Sequence, residues 1–191
     1  MTWTRNRLIV LAVVLSVLAL LAAPRYPRVQ RLDAAPFPPD PTCLNPPPDT
    51  CTFYPNCLES RYHCGPTGYP LAYGLHFCSL FQSKRALLTS AGQAWMIATM
   101  HCLQLALVPD ALGLPNATQT CGELEDKAFG THAQCYVENG GICKLPPEDW
   151  LAVLDIVDIT TLFDSWDAFK ATLKTSGDCL EFYAFLIEHG L

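Results

Sequence analysis

The chain has 191 residues, and all ten of its cysteines fall between positions 43 and 179. They are Cys43, Cys51, Cys57, Cys64, Cys78, Cys102, Cys121, Cys135, Cys143 and Cys179. An even set of this size in a domain of ordinary length reads as a disulfide framework and places the chain in an oxidising compartment. A thiolate metal site calls for clustered Cys-x-x-Cys pairs, and the series contains none. Residue types and spacing alone leave roughly 945 ways to join ten cysteines in pairs.

The N-terminal residues point to the same compartment. Arg5 and Arg7 precede an unbroken apolar run from Leu8 to Ala23, which stops at Pro24. Such a run serves as a signal peptide or, if it stays uncleaved, as a signal anchor, so residues 1–23 are assigned to a leader. Either way the rest of the chain is delivered to the secretory lumen or the exterior, and a membrane is met only through an uncleaved leader. Nine of the sixteen prolines lie between Pro24 and Pro48. Proline lacks the amide that helices and central strands need, so residues 24–42 read as a semi-rigid stem.

Residues 43–191 form one domain. It carries seven Lys/Arg against sixteen Asp/Glu, a balance of −9. That charge excludes nucleic acid and anionic membrane surfaces as natural partners. The acidic groups Glu123/Glu125/Asp126 and Glu148 to Asp167 read as solvated helix faces.

Wherever periodicity is legible it is helical. Residues Ala91 to Val108 are apolar nearly all round and predict a buried helix ended by Pro109. Thr118 to Val137 predicts a helix with a break near Gly130. Pro146-Pro147 with Glu148 and Asp149 opens a further helix, with proline tolerated and acid favoured in its first turn, followed by Trp150, Leu151, Leu154 and Val157. Leu162, Trp166, Phe169 and Leu173 recur at helical spacing up to Gly177, and Asp178 caps a last helix with Phe182, Tyr183 and Leu186 inward. No alternating strand pattern competes, so the expected fold is all-α, a disulfide-stapled domain of five or six helices.

The cysteine series also carries local signatures. Cys51 to Glu59 reads CTFYPNCLE; Cys64 and Cys78 follow, the latter before Ser-Leu-Phe; Gly92-Gln93 precede a helix containing Cys102; then come Cys121, the Cys135-Tyr136 pair, Cys143 and the isolated Cys179. In the order of all ten cysteines, and in the separations from Cys78 to Cys102 and from Cys121 to Cys135, the domain resembles stanniocalcin. This resemblance implies the pairing Cys43–Cys57, Cys51–Cys78, Cys64–Cys121, Cys102–Cys135 and Cys143–Cys179. It also implies a secreted glycoprotein of hormone type that acts by binding a receptor or another secreted protein, in the class that governs calcium and phosphate. Catalysis and cofactors have no part in that expectation.

Two departures from the family pattern bear on assembly and modification. Stanniocalcins join two chains through one further cysteine, and nothing after Cys179 supplies that thiol, so no covalent homodimer is expected. The family's glycosylation site directly after Cys-Leu-Glu is replaced by Ser60-Arg61. The one sequon is Asn116-Ala117-Thr118, in a turn-rich loop, and Asn116 is the expected glycosylation site.

Two further functions are weighed against this reading. The segment Thr131 to Tyr136 and the segment Cys64 to Gly68 are similar to the helix and calcium loop of secreted phospholipases A2. Position 133 is Ala where that chemistry needs a carboxylate for calcium. Neither a Gly-x-Ser-x-Gly elbow nor a His-Glu-x-x-His is present. His63, His76, His101, His132 and His189 show no metal-ligand spacing and read as surface or packing residues, so no catalytic, cofactor or metal residue is assigned. A small helical lipid carrier is the other alternative, resting on the apolar stripe from Ala91 to Val108, for which buried core is the better account.

Overall fold

Helix is the only regular structure among the residues that the computed structural model describes, which are 40–138, 141–157, 170, 173 and 179–191. The leader and nearly all of the stem lie outside these residues. No helix among the described residues is long and apolar enough to cross a membrane. The fold takes in the last residues assigned to the stem: the Asp40 carboxylate accepts from the Thr42 amide at 2.8 Å and caps α1 (Pro41–Leu44).

Two wide π-helical turns build the next layer. The first, Tyr54–Glu59, runs into the single-turn α2 (Ser60–Tyr62) and ends at His63, whose φ of 52° is left-handed. The second, Pro70–Leu75, runs into α3 (His76–Ser83). The turns pack directly on each other, and Gly74 makes that possible. A Cβ at position 74 would lie 2.2 Å from Cδ1 of Tyr54, so any side chain there would force the two turns apart.

α4 (Ser90–Ala106) is capped by the Thr89 hydroxyl, which accepts the Gly92 amide at 3.2 Å. Trp95, Met96, Met100 and Leu103 face the core, while Ala91, Ala94 and Ala98 lie open on the other side. Pro109 does not simply end this helix. Its ring would clash with the carbonyl four residues back, so the backbone turns at Leu107, and Pro109 sits in the first turn of the short α5 (Val108–Leu112).

α6 (Cys121–Val137) opens on a capping box in which Thr120 and Glu123 each bond the other's backbone amide. The expected break near Gly130 is absent. Leu124, Ala128, His132, Cys135 and Tyr136 hold one buried stripe through the whole length, and that packing outweighs the cost of one exposed glycine, about 1 kcal/mol.

α7 (Pro147–Ile156) and α8 (Leu180–Glu188) follow. α7 buries Trp150, Ala152, Val153 and Ile156, while Leu151 is exposed. α8 turns Phe182, Phe185 and Leu186 inward, with Tyr183 half-buried. The helix expected from Leu162 to Gly177, and the cap at Asp178, lie outside the described residues apart from Lys170, which is half-buried, and Leu173, which is buried; both are helical.

Eight α-helices are thus present among the described residues, against the five or six expected. Three of them, α1, α2 and α5, have five residues or fewer, too short to leave a periodic pattern. Two aromatic clusters mark the core. Trp95 packs edge-on to Tyr136 at 5.4 Å and donates its indole N–H to the Tyr136 carbonyl at 3.3 Å. Trp150 packs on Phe182 and Phe185 and donates to the Ile142 carbonyl at 2.7 Å. Each indole gains a partner for its one polar atom, which makes deep burial of the ring favourable.

Candidate functional site

Every one of the ten cysteines is paired within the chain. The bonds are Cys43–Cys57, Cys51–Cys78, Cys64–Cys121, Cys102–Cys135 and Cys143–Cys179, the set that the stanniocalcin resemblance implies. Their Cα–Cα distances run from 4.6 to 5.8 Å, within the ordinary span of the bond. The first ties α1 to the π-helical turn Tyr54–Glu59, and the second ties Cys51, in the stretch between them, to α3. The third fastens the loop after α2 to the first residue of α6. The fourth clamps α4 to α6, and the fifth holds α8 against the turn at Ile142–Lys144.

Beside the third bond lies a hydrogen-bonded polar cluster built around the Asn116 sequon. Asn116 is exposed and left-handed, with φ of 73°. Two residues on, Thr118 is held by two side chains, Asp110 and Tyr62. Asp110 of α5, fully buried, accepts the Thr118 amide at 2.9 Å and the Thr118 hydroxyl at 3.0 Å on one carboxylate oxygen. The Tyr62 hydroxyl lies 2.8 Å from both the carbonyl and the hydroxyl oxygen of Thr118. The other Asp110 oxygen pairs with Lys127 Nζ of α6 at 2.6 Å, so the buried charge is compensated. The amides of Gln119 and Thr120 donate to Glu123, and those bonds hold its carboxyl below the usual carboxylate range.

The histidines keep the packing and surface positions expected of them. His132 is buried in α6, its Nδ1 2.8 Å from the Ala128 carbonyl and its ring beside Phe129 and Tyr136. Burial lowers its pKa and favours the neutral ring. His101 Nε2 bonds the Pro46 carbonyl and His189 Nδ1 the Phe185 carbonyl. Among the described residues no group of three His, Cys, Asp or Glu side chains is arranged to hold a metal.

Of the two phospholipase-like segments, Cys64 to Gly68 runs directly into Tyr69, which lines one cavity with His132 and Tyr136 of the other. The Cys64–Gly65 amides both donate to the Glu59 carboxylate, at 3.2 and 2.9 Å, so that loop already encloses an anion of its own. The loop is bonded to Cys121 at the start of α6, and His132 lies eleven residues further along that helix, about 16 Å at 1.5 Å per residue.

Two hollows complete the picture. An aromatic cavity of about 40 Å³ lies among Tyr54, Tyr69, Tyr136, Trp95, Met96 and His132. Burial raises the three phenols well above their ordinary range, so all stay protonated. This volume suits about one water molecule, whereas small-molecule pockets run to about 300–1,000 Å³. A surface groove of about 320 Å³ follows the open face of α4, between Ala91, Ala94 and Ala98 and the side chains of Glu138, Lys144 and Leu145.

Of the acidic groups read as solvated, Glu123, Asp126, Glu148 and Asp155 are exposed, but Asp149 is fully buried. Its carboxylate accepts the Thr89 amide at 2.7 Å and the Thr89 hydroxyl at 2.6 Å. Asp110 was not singled out at all. The available sign was a lone acid inside the apolar stretch from Leu105 to Leu114, a place where a carboxylate must have partners.

Fold and site together define a disulfide-stapled all-α domain with a tightly bonded sequon loop. No family model, no curated protein and no solved structure matches the chain.

Proposed function

We propose that the chain is a secreted or lumenal stanniocalcin-like glycoprotein that acts by binding another protein. The observation that carries the reading is the connectivity: ten cysteines joined without remainder in the five pairs that the resemblance implies. Five such bonds are compatible with an oxidising compartment. A domain whose cysteines are all committed to structure, and whose aromatic cavity beside His132 measures only about 40 Å³, would act through its surface. The partner would be a receptor or a secreted protein, and the physiological class, by resemblance, the control of calcium and phosphate. Asn116 would carry the glycan. Lipid carriage has little support from the aromatic cavity beside His132, which measures about 40 Å³, and the phospholipase reading lacks a carboxylate at position 133.

The test is to express the full chain in secreting cells, crosslink it at the cell surface and in the medium, and identify captured proteins by mass spectrometry. A partner retained by the native chain and lost after reduction and alkylation is the expected result. Stoichiometric lipid in a detergent-free preparation, or calcium-dependent lipid hydrolysis abolished by His132→Ala, would overturn the reading.

A further inference from the structure

The sequon loop is the place where modification and folding compete for the same atom. An Asn-x-Ser/Thr acceptor is defined by the hydroxyl two residues after the asparagine, so the transferring enzyme must read that hydroxyl. In the folded domain the Thr118 hydroxyl is taken: it donates to Asp110 Oδ1 at 3.0 Å and lies 2.8 Å from the Tyr62 hydroxyl. The backbone around it is equally committed. The Thr118 amide bonds Asp110, the Gln119 and Thr120 amides bond Glu123, and Cys121 is fastened to Cys64 across 57 residues of chain. Asn116 itself stays exposed, yet its left-handed φ of 73° and the buried Ala117 fix the loop in a compact turn.

We infer that Asn116 is an acceptor only before this lock closes, and that closure of Cys64–Cys121 ends the opportunity. This rests on the lumenal, glycosylated reading above. In the transfer, Nδ2 of Asn116 bonds the anomeric carbon of an oligosaccharide carried on a lipid pyrophosphate. The anomeric C–O bond to the pyrophosphate breaks, the lipid pyrophosphate leaves, and Nδ2 gives up one proton. None of this touches Thr118 covalently, but the acceptor must present its hydroxyl to the enzyme while the reaction proceeds.

The time available makes the competition real. Cys121 lies five positions after Asn116, and at least 70 residues follow it. Synthesis of such a length takes about 4–14 s at 5–20 residues per second. Disulfides form over seconds to hours, so closure of the lock and arrival of the transferring enzyme fall in overlapping windows. The outcome is a chain population divided between glycosylated and unglycosylated forms, set by how fast Cys64–Cys121 forms.

Two arms test this. In secreting cells, the glycosylated share of the full chain is read from the glycosidase-sensitive band, with Asn116→Gln as the baseline. Occupancy should rise in the Cys64→Ser/Cys121→Ser double variant, and in the wild-type chain labelled during a pulse of membrane-permeant reductant. In vitro, the unglycosylated full chain is offered to microsomal transferase with its lipid-linked donor. The reduced and alkylated chain should be modified at Asn116 and the native chain should not. Modification of the native chain as fast as the reduced one, or an occupancy that ignores both the double variant and the reductant, would overturn the inference while leaving Asn116 a glycosylation site. Absence of a glycan in every state would overturn the site itself and the inference with it.

Discussion

Replacing Asp149 by alanine should cost the domain about 3–5 kcal/mol. The carboxylate is fully buried in the first turn of α7 and accepts two hydrogen bonds from Thr89, the residue that caps α4. Hydrogen bonds to a charged group contribute about 1.5–3 kcal/mol each, so the pair amounts to about 3–6 kcal/mol. A negative charge beside a helix N-terminus adds about 0.3–1 kcal/mol, and relief of the carboxylate's own desolvation subtracts a comparable or larger amount. Asp149→Asn keeps the shape and one acceptor oxygen for the Thr89 amide. Its amide nitrogen would face the Thr89 hydroxyl, which can turn to accept, so the expected cost falls to about 1–2 kcal/mol. Urea unfolding followed by tryptophan fluorescence reads these values directly, since Trp150 neighbours Asp149 and Trp95 lies in α4. The urea dependence should keep its slope while the midpoint falls. In the double variant with Thr89→Ala the two costs should fall short of adding, because both changes remove the bond from the Thr89 hydroxyl to Asp149. A loss below about 0.5 kcal/mol for Asp149→Ala, or strict additivity with Thr89→Ala, would refute the reasoning.

Other expectations follow from burial and connectivity. His132 has its pKa lowered by burial, so the unfolded chain binds its proton first. Stability should be complete above the unfolded value near 6.5 and decline as pH falls from there toward the folded pKa, and His132→Phe should flatten that decline in the urea midpoint. Cys179→Ser opens a loop of 36 residues, worth about 4 kcal/mol by loop-closure entropy, and leaves Cys143 as a thiol that alkylation and intact mass detect. The native chain should show no alkylable thiol and run as a monomer on a non-reducing gel, because all ten cysteines are paired internally.

The helical class, the disulfide framework and the starts of α4 and α7 are legible because each leaves a local mark: cysteine number, buried stripes, proline and acid in a first turn. What stayed hidden depends on contacts distant in sequence. Gly130 reads locally as a breaker, and only the stripe beneath it keeps α6 whole. Pro109 reads as a stop, and only the packing of Val108 to Leu112 turns it into a start. The π-helical turns have no signature beyond their prolines, since they exist to lay Gly74 on Tyr54. Asp149 sits among acids that do face water, and a helical pattern cannot tell which carboxylate meets Thr89 sixty residues away.

That contact is one of two of the same kind. Asp149 holds the amide and hydroxyl of Thr89 at the start of α4, and Asp110 holds the amide and hydroxyl of Thr118 just before α6. α4 and α6 are the two 17-residue helices among the described residues, clamped to each other by Cys102–Cys135. Each therefore has its entry fixed by a buried carboxylate from a neighbouring helix, and the disulfide needs only to hold their relative register. The two latches differ in one respect. Asp110 is paired with Lys127, whose side chain is 33% exposed, whereas both bonds to Asp149 come from Thr89. Exposed charge is screened by salt, so part of the Asp110 contribution should fade between low salt and about 1 M, where the screening length is about 3 Å. The cost of Asp110→Asn, measured by urea unfolding, should shrink at high salt, and the cost of Asp149→Asn should not. Equal salt sensitivity in the two variants would mean that Lys127 contributes nothing to the latch and that the threonine bonds alone hold Asp110 in place.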